Sequence, residues 1–177
     1  MKRLRVIFFG AKGVGKTSLL TTMVEQRFVR VQPTVGVDYN IVVCEGTRFL
    51  CWDVSGDPAF KRIGEAFIEE CSVFVYVFDL KNEYTLDEAL ACYGRVSAKA
   101  GVCSHLLIGN FSDMGRLTET MSEKLDHYPE LLYFESCAAN VESVERMWRG
   151  IASGTSHLIA PVQPAVPRQR AQCCTLQ

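Results

Sequence analysis

The residues most clearly suited to chemistry lie in one glycine-rich run, residues 10–17 (GAKGVGKT), directly after an apolar segment. The run matches G-x-x-x-x-G-K-[ST], a pattern that binds phosphate when a strand precedes it and a helix follows it. Its glycines let backbone N–H groups turn toward an anion, and the helix N-terminus adds partial positive charge. Lys16 is predicted to reach the β- and γ-phosphates of a nucleotide, and the Thr17 hydroxyl to bind Mg²⁺. The residues of this loop predicted to contact a nucleotide are Gly10, Lys12, Gly13, Val14, Gly15, Lys16, Thr17 and Ser18.

Because kinases, ATPases and GTPases all use such a loop, the remaining motifs must distinguish them. Four later segments carry suitable polar residues: 33–39 (PTVGVDY), 52–57 (WDVSGD), 109–113 (GNFSD) and 135–139 (ESCAA). Taken singly, each is also what an ordinary turn or cap would show. Their order and spacing after the phosphate loop resemble the motifs of Ras-superfamily small GTPases, over roughly residues 3–153. Residues 33–39 look most like the Rab branch.

For the phosphate end of the site, this resemblance implies three roles. Thr34 of the switch I segment (33–39) completes the Mg²⁺ shell and contacts the γ-phosphate. Asp53 of the switch II segment (52–57) holds the metal through water, and the Gly56 N–H meets the γ-phosphate. The expected metal-binding residues are Thr17, Thr34 and Asp53, and the expected catalytic residues are Lys16, Thr34, Gly56 and Asp57.

For the base end, the resemblance implies that the Asp113 carboxylate accepts hydrogen bonds from guanine N1 and the exocyclic amine. Asn110 would tie the base-reading loop to the phosphate loop, and the backbone N–H of Ala138 would meet guanine O6. Cys137 stands where the family has a hydroxyl that supports this pocket. Phe28 either stacks on the base or is a core aromatic at a helix end, and the sequence does not choose between the two.

Several positions depart from the family pattern. Asp57 replaces the glutamine that orients the attacking water, and an ionised carboxylate there only accepts hydrogen bonds beside a developing negative charge, so hydrolysis is expected to be slow. Pro58 replaces a glutamate and stiffens the loop. Phe111 and Ala139 replace lysines that cover the base, which predicts lower nucleotide affinity. Lys12 replaces a small residue near the γ-phosphate, where it either hinders an inserted arginine finger or supplies charge itself.

The function that fits these motifs best is a GTP- and GDP-binding, Rab-like switch with Mg²⁺, acting in membrane trafficking. Its expected partners are effector, exchange-factor and activating proteins that read switch I and switch II. The alternative is a pseudo-GTPase that serves as an interaction scaffold, and a nucleoside or adenylate kinase is disfavoured because the chain lacks acceptor-binding arginine clusters. Further Rab-like hints, which equally fit core positions of a helix, are Phe60, Ile63 and Phe67.

These motifs need a framework that brings the carboxyl ends of several strands together. The periodicity predicts strands at 4–9, 40–44, 48–53, 71–80, 102–109 and 131–135, and helices at 16–26, 84–100, 118–127 and 141–152. The run 71–80 (CSVFVYVFDL) is apolar on both faces, as in the centre of a parallel sheet. We therefore expect an α/β P-loop NTPase G domain over residues 1–153, with a mostly parallel six-stranded sheet and helices on both faces.

The remaining features concern the surface and the tail. The net charge of −1 gives no general attraction to nucleic acid. Residues 154–177 are rich in Pro and Gln and are expected to form a disordered tail. Within it, Cys173 and Cys174 resemble the doubly geranylgeranylated cysteines of Rabs, although residues 174–177 (CTLQ) also fit a C-a-a-X box with farnesyl on Cys174. A lipidated, peripheral protein on the cytosolic face of a membrane, escorted by a prenyl carrier protein, is the expectation.

Overall fold

A computed structural model describes residues 2–60, 64 and 66–158 of the chain. The described residues form six strands, β1 (Lys2–Phe9), β2 (Val37–Cys44), β3 (Thr47–Val54), β4 (Val73–Asp79), β5 (Ser104–Asn110) and β6 (Leu132–Glu135). They also form four complete α-helices, α1 (Lys16–Glu25), α2 (Glu83–Ser97), α3 (Glu119–Leu125) and α4 (Val141–Gly154). Each predicted strand and helix is present, with ends shifted by a few residues.

The six strands make one sheet in the order β2-β3-β1-β4-β5-β6. Only the β2–β3 pair is antiparallel, and the other four pairs are parallel. One core lies between a sheet face and helices α1 and α4, and a second lies between the other face and helices α2 and α3. The predicted α/β fold with helices on both faces is confirmed.

β4 was predicted to be a central strand covered on both faces, and the side chains from Val73 to Phe78 are all fully buried. Its two faces meet different helices, which is why the run is apolar at every position rather than at every second one. The parallel strands β1, β4 and β5 end at the same edge of the sheet. The phosphate loop and the two later base-reading segments therefore meet at this edge.

The carboxyl end of the fold extends beyond the predicted domain boundary at residue 153. Helix α4 continues to Gly154, and the Thr155 side chain is fully buried, with its hydroxyl donating to the Ile151 carbonyl at 2.7 Å. Leu158 packs against the core that α1 and α4 share. Residues 154–158 thus belong to the domain, not to the tail, and their Gly-Thr-Ser composition hid this from the sequence pattern.

Three sequence predictions lie outside the described residues: Ile63 as a Rab-like position, the disorder of residues 159–177, and lipidation of Cys173 and Cys174. Among the cysteines of the described residues, no two are joined by a disulfide. No helix in that part is both long and apolar enough to cross a membrane.

Candidate functional site

The phosphate loop connects β1 to α1 and has the backbone that its glycines predict. Gly10, Gly13 and Gly15 have φ angles of 146°, 85° and 92°, which residues with a Cβ rarely adopt. A Cβ on Gly15 would also lie 2.2 Å from the Asn110 side-chain nitrogen. Helix α1 begins at Lys16 without a side-chain cap, so its first N–H groups remain available to an anion.

The Lys16 ammonium is directed toward the start of this loop and donates to the carbonyls of Gly10 at 2.8 Å and Ala11 at 2.9 Å. Burial lowers the pKa of Lys16 to about 8, although the nearby Asp53 carboxylate acts in the opposite direction. A buried cation with a lowered pKa lacks sufficient negative charge around it, and a bound phosphate would supply that charge. Lys16 thus lies beside the phosphate loop, and its contact with the β- and γ-phosphates stays a prediction.

The three residues predicted to bind a metal come together from three different segments. The Thr17 and Thr34 hydroxyl oxygens are 2.8 Å apart, and both hydroxyls lie within hydrogen-bond reach of Asp53 Oδ2. Asp53 is fully buried, and burial raises the pKa of its carboxyl group, while hydrogen bonds from the two threonines and the charge of Lys16 oppose that change. Its other oxygen, Oδ1, is buried and has no hydrogen-bond partner among the described residues.

This cluster fits a hard divalent cation. A buried carboxylate oxygen without a partner is costly, and a cation would satisfy it. Two hydroxyls and one carboxylate are oxygen ligands of the type that Mg²⁺ prefers. Nowhere in the described segments do three or more His, Cys, Asp or Glu side chains form a metal site of their own. Thr17, Thr34 and Asp53 are thus the residues that could hold Mg²⁺ together with a nucleotide.

A cavity of about 370 Å³ lies beside this cluster, between the phosphate loop and both switch segments. Its lining includes most of the residues predicted for the phosphate end: Lys12, Gly13, Gly15, Lys16, Thr17, Ser18, Thr34, Gly56 and Asp57. Gly10 and Val14 are not part of this lining: the Val14 side chain is buried in the core, and its carbonyl accepts a hydrogen bond from Asn110. The lining also contains two residues that the sequence did not single out, Val31 and Gln32.

Gly56 of switch II packs directly on the phosphate loop. A Cβ at this position would lie 2.3 Å from the Lys12 backbone nitrogen and 2.4 Å from the Ala11 carbonyl carbon. Next to it, the Ser55 N–H donates to the Gly36 carbonyl at 2.9 Å, which joins switch II to switch I. No residue with a side chain fits at position 56 in this arrangement.

Asp57, predicted to be catalytic, begins a short helical turn. Its carboxylate accepts a hydrogen bond from the Ala59 N–H at 2.9 Å, and its carbonyl accepts one from the Phe60 N–H at 3.0 Å. Pro58 occupies the first position of the turn, where its fixed φ and missing N–H are tolerated. The Asp57-Pro58 pair is therefore a helix-start pattern, and it gives both substitutions a local structural role that the family comparison did not suggest.

At the base end, Asn110 is fully buried and joins two loops, as predicted. Its amide nitrogen donates to the Val14 carbonyl at 2.9 Å, and its amide oxygen accepts from the Ala138 N–H at 3.1 Å. The Ala138 N–H was expected to face guanine O6, whereas here it is directed at Asn110. A guanine at this site would have to share that donor with Asn110.

Asp113 is exposed, and the thiol of the buried Cys137 contacts its carboxylate. Burial raises the pKa of Cys137, and this contact with Asp113 raises it further, so the group is a neutral thiol that can donate. Cys137 thus occupies the supporting place of the family's hydroxyl, but as a weaker donor. Phe28 is 50% exposed, which contradicts its interpretation as a core aromatic and leaves base stacking as its expected role.

Phe111 has a φ of 64°, a left-handed conformation that costs a residue with a Cβ about 1–2 kcal/mol. Its ring approaches the phosphate loop, with Cζ 3.8 Å from the position of a Cβ on Gly15. The Lys81 ammonium lies over the ring, 4.3 Å from its centroid. The family lysine is therefore replaced by an aromatic ring that has an ammonium beside it.

The comparison with known families agrees with this geometry. Residues 5–156 match the model of the Ras family. Among curated proteins, Rab-13 of Mesocricetus auratus is 28% identical over 158 residues, which cover 84% of this chain and 77% of that protein. Rab-7B of Dictyostelium discoideum is 38% identical over 85 residues, which cover 48% of this chain and 43% of that protein.

The family match spans both cores of the fold and the motifs around the cavity. Ras-family proteins bind guanine nucleotide and hydrolyse GTP, and the curated relatives described above are Rab proteins. The chain belongs to the Ras family of small GTPases, of which it is a divergent Rab-like member.

Proposed function

We propose that this chain is a switch that binds GTP and GDP with Mg²⁺ and hydrolyses GTP slowly. The observation that supports it most is the convergence of Thr17, Thr34 and Asp53 beside Lys16, at the edge of a cavity large enough for phosphates. These four residues come from the phosphate loop, switch I and switch II. Their convergence supports a site whose two switch segments respond to the same phosphate group.

In this proposal Mg²⁺ supplies positive charge beside the β- and γ-phosphates. The chain's own part is to hold the triphosphate: Lys16 places its ammonium near the phosphates, and the first N–H groups of α1 donate to them. Thr34 and the Gly56 N–H would contact the γ-phosphate only while it is present. Its loss would release both switch segments, which is the kind of order change that partner proteins read.

The interpretation as a scaffold without turnover is supported by one observation. The Asp57 carboxylate already accepts the Ala59 N–H, and an ionised carboxylate has no donor with which to orient a water. Lys12 is exposed on the lining of the same cavity and offers a positive charge, but not a hydrogen-bond acceptor for water. We therefore place hydrolysis in the slow range and propose nucleotide state as the main output.

The direct test of the proposed function is calorimetric titration of the purified chain with GTP, GDP and ATP in the presence of Mg²⁺. We expect binding of both guanine nucleotides and little binding of ATP, because adenine lacks the donor pair that Asp113 accepts. Lys16→Ala should weaken the binding of both GTP and GDP, since it removes an ammonium expected to contact the phosphates of both nucleotides. Loss of a charged hydrogen-bonding group costs about 1.5–3 kcal/mol, which corresponds to about 10- to 150-fold in affinity.

Lys124→Ala is a matched control, because Lys124 contacts Glu83 and Asp87 on the helix surface rather than the cavity. It should leave nucleotide affinity unchanged. Equal binding of ATP and GTP would refute guanine selectivity. The absence of any nucleotide binding would refute the switch and leave the scaffold.

For partner proteins we propose the aromatic surface formed by Tyr39, Trp52 and Phe67. Trp52 lies 5.4 Å from Tyr39 and 5.7 Å from Phe67 between ring centroids, and Tyr39 is 47% exposed. The three rings come from β2, β3 and the segment after switch II, so a change in either switch would alter this surface. Half-exposed aromatic residues of this kind are typical of protein–protein contacts. We assign effector and regulator binding in membrane trafficking to this surface.

Membrane attachment is proposed to require lipids on both Cys173 and Cys174. A single lipid chain gives only marginal and reversible membrane binding unless basic residues assist. The tail has Arg168 and Arg170, each worth about 1 kcal/mol near an anionic surface. Mass spectrometry of the peptide that contains both cysteines, from protein expressed in eukaryotic cells, should show two prenyl groups, and Cys173→Ser or Cys174→Ser should move the protein to the soluble fraction.

Two results would contradict this prediction in different ways. An unmodified peptide would refute lipid anchoring altogether. A single farnesyl group, with Cys173→Ser still retained on membranes, would refute the need for two lipids and favour Cys174 alone. Cys92→Ser, at a partly buried cysteine of α2 in the folded domain, is the control substitution and should not change the distribution.

A further inference from the structure

Lys81 and Phe111 form a contact at the base end of the site that the motifs do not assign. Lys81 lies two residues after the end of β4, and Phe111 directly follows β5. β4 and β5 are parallel, with Asp79 opposite Asn110, so the two residues leave the sheet side by side. The Lys81 ammonium is 4.3 Å from the centroid of the Phe111 ring, within the range of a cation–π interaction.

The position of Lys81 is set by its neighbours. The Lys81 N–H donates to Asp79 Oδ1 at 2.8 Å, and its ammonium is 3.9 Å from Asp79 Oδ2. A Cβ on Gly115 would lie 2.9 Å from the Lys81 backbone nitrogen and Cγ, so the absence of a side chain at Gly115 makes room for the stem of Lys81. The ammonium is thereby held between a carboxylate and an aromatic ring.

The backbone of Phe111 is left-handed, with φ at 64°, which fixes the direction in which its side chain leaves the loop. Its carbonyl accepts hydrogen bonds from Met114 at 2.9 Å and Gly115 at 2.8 Å, which fix the loop but not the ring. The ring edge is close to Gly15 of the phosphate loop, and Asp113 is two residues further along the chain. A base held by Asp113 above the phosphate loop would therefore lie beside this ring.

We propose that Lys81 is a positioning residue for the guanine nucleotide, acting through Phe111. Its ammonium holds the ring over the edge of the phosphate loop, so that the ring covers the base and the ribose. In the family pattern a lysine at position 111 covers the base directly; here the cation comes from the neighbouring strand end and the covering surface is aromatic. This inference rests on the proposed function, since it requires a guanine nucleotide at the site.

The experiment is the release of a fluorescent GDP analogue from the full chain with Mg²⁺, chased with excess unlabelled GDP. Lys81→Met keeps the length of the stem and removes the charge, and should speed release about two- to tenfold. Lys81→Arg keeps a cation that stacks on aromatic faces and should stay within about twofold of the unmodified rate. Lys124→Met removes a lysine ammonium that contacts other carboxylates and should have no effect.

A double-mutant cycle separates positioning from a general charge effect. In a Phe111→Leu background, Lys81→Met should cause no further acceleration, because the ring through which Lys81 acts is absent. Lys81→Met should speed the release of inosine diphosphate, which lacks the exocyclic amine, by the same factor as the release of GDP. Covering the base does not involve that amine.

Two results would overturn the inference alone: unchanged release from Lys81→Met, or equal acceleration with and without the Phe111 ring. Failure of the unmodified protein to retain GDP would overturn the proposed function together with it. Retention of GDP by every variant at one common rate would leave the proposed function intact and remove the role of Lys81.

Discussion

Replacing Asp57 with glutamine is expected to raise the single-turnover rate of GTP hydrolysis about 10- to 100-fold. Adding one group that stabilises the transition state is typically worth about 10²–10³ in rate, and part of that gain should be lost here because the turn changes. Glutamine has both a donor and an acceptor, so it can orient a water, whereas an ionised aspartate only accepts. It also removes a negative charge from the lining of the phosphate cavity.

The hydrogen bond from the Ala59 N–H to the Asp57 carboxylate complicates the comparison of hydrolysis rates between Asp57→Gln and the unmodified protein. Glutamine is a poor residue at a helix start, so Asp57→Gln alters the turn as well as the chemistry. Asp57→Asn is the matched control, because asparagine keeps the capping hydrogen bond and removes only the charge. We expect a small gain from Asp57→Asn and a larger gain from Asp57→Gln, measured with preloaded GTP and a phosphate sensor.

Each contrary result would point to a different residue. An ordinary family rate in the unmodified protein would mean that another group, with Lys12 the first candidate, compensates for Asp57. Lys12→Gly should then lower the rate. No gain in Asp57→Gln would mean that the turn itself blocks water, and Pro58→Glu in the same background should then restore the rate.

Asp57 also illustrates where the sequence was sufficient and where it was not. The comparison with the family pattern identified the altered position and the chemistry that it loses. The capping role depends on the backbone of residues 57–60, since an Asp-Pro pair begins a helical turn only where the chain bends at that point. The sequence alone could not show whether the carboxylate faced the cavity, its own turn, or both.

Most of the fold followed from the sequence because local patterns and long-range packing agree. β4 is apolar at each position because both of its faces are covered, and the phosphate loop is recognisable because its glycines are required by geometry as well as by the motif. The β2–β3 hairpin was predicted, but the predicted strands were too short. β2 begins at Val37 and pairs with β3 from there, but the side chains of its first residues are exposed or half-buried and gave no hydrophobic pattern. Edge strands with a solvated face carry a weaker hydrophobic pattern.

Contacts between distant segments were the part that could not be predicted. Asn110 was assigned its bond to the phosphate loop only through the family resemblance, and the Ala138 N–H was then assigned to guanine O6 rather than to Asn110. The Lys81–Phe111 contact joins two strand ends, and nothing in the spacing of those residues indicates it. Such contacts depend on strand order, which is a property of the assembled sheet.

Replacing Asp113 with alanine is expected to abolish the preference for guanine over hypoxanthine bases. The carboxylate should accept two hydrogen bonds from guanine, from N1 and from the exocyclic amine, whereas inosine offers only the first. A hydrogen bond to a charged group is worth about 1.5–3 kcal/mol, so the unmodified protein should prefer GDP to IDP about 10- to 150-fold. Asp113→Ala loses both bonds, so it should bind the two nucleotides equally and GDP about 10²–10⁴-fold more weakly.

Substitutions of Cys137 provide a second test of this prediction, because the thiol of this buried residue contacts the Asp113 carboxylate. Cys137→Ser restores a stronger donor of similar size and should tighten GDP binding, while Cys137→Ala should weaken it without removing the preference over IDP. Competition of GDP and IDP against a fluorescent GDP analogue measures the two affinities for the unmodified protein, Asp113→Ala and both Cys137 variants. Asp126→Ala, at the exposed carboxyl end of α3, is the control. An unchanged GDP-to-IDP ratio in Asp113→Ala would assign base reading elsewhere in the loop, and it would leave the Asp113–Cys137 contact as a purely structural one.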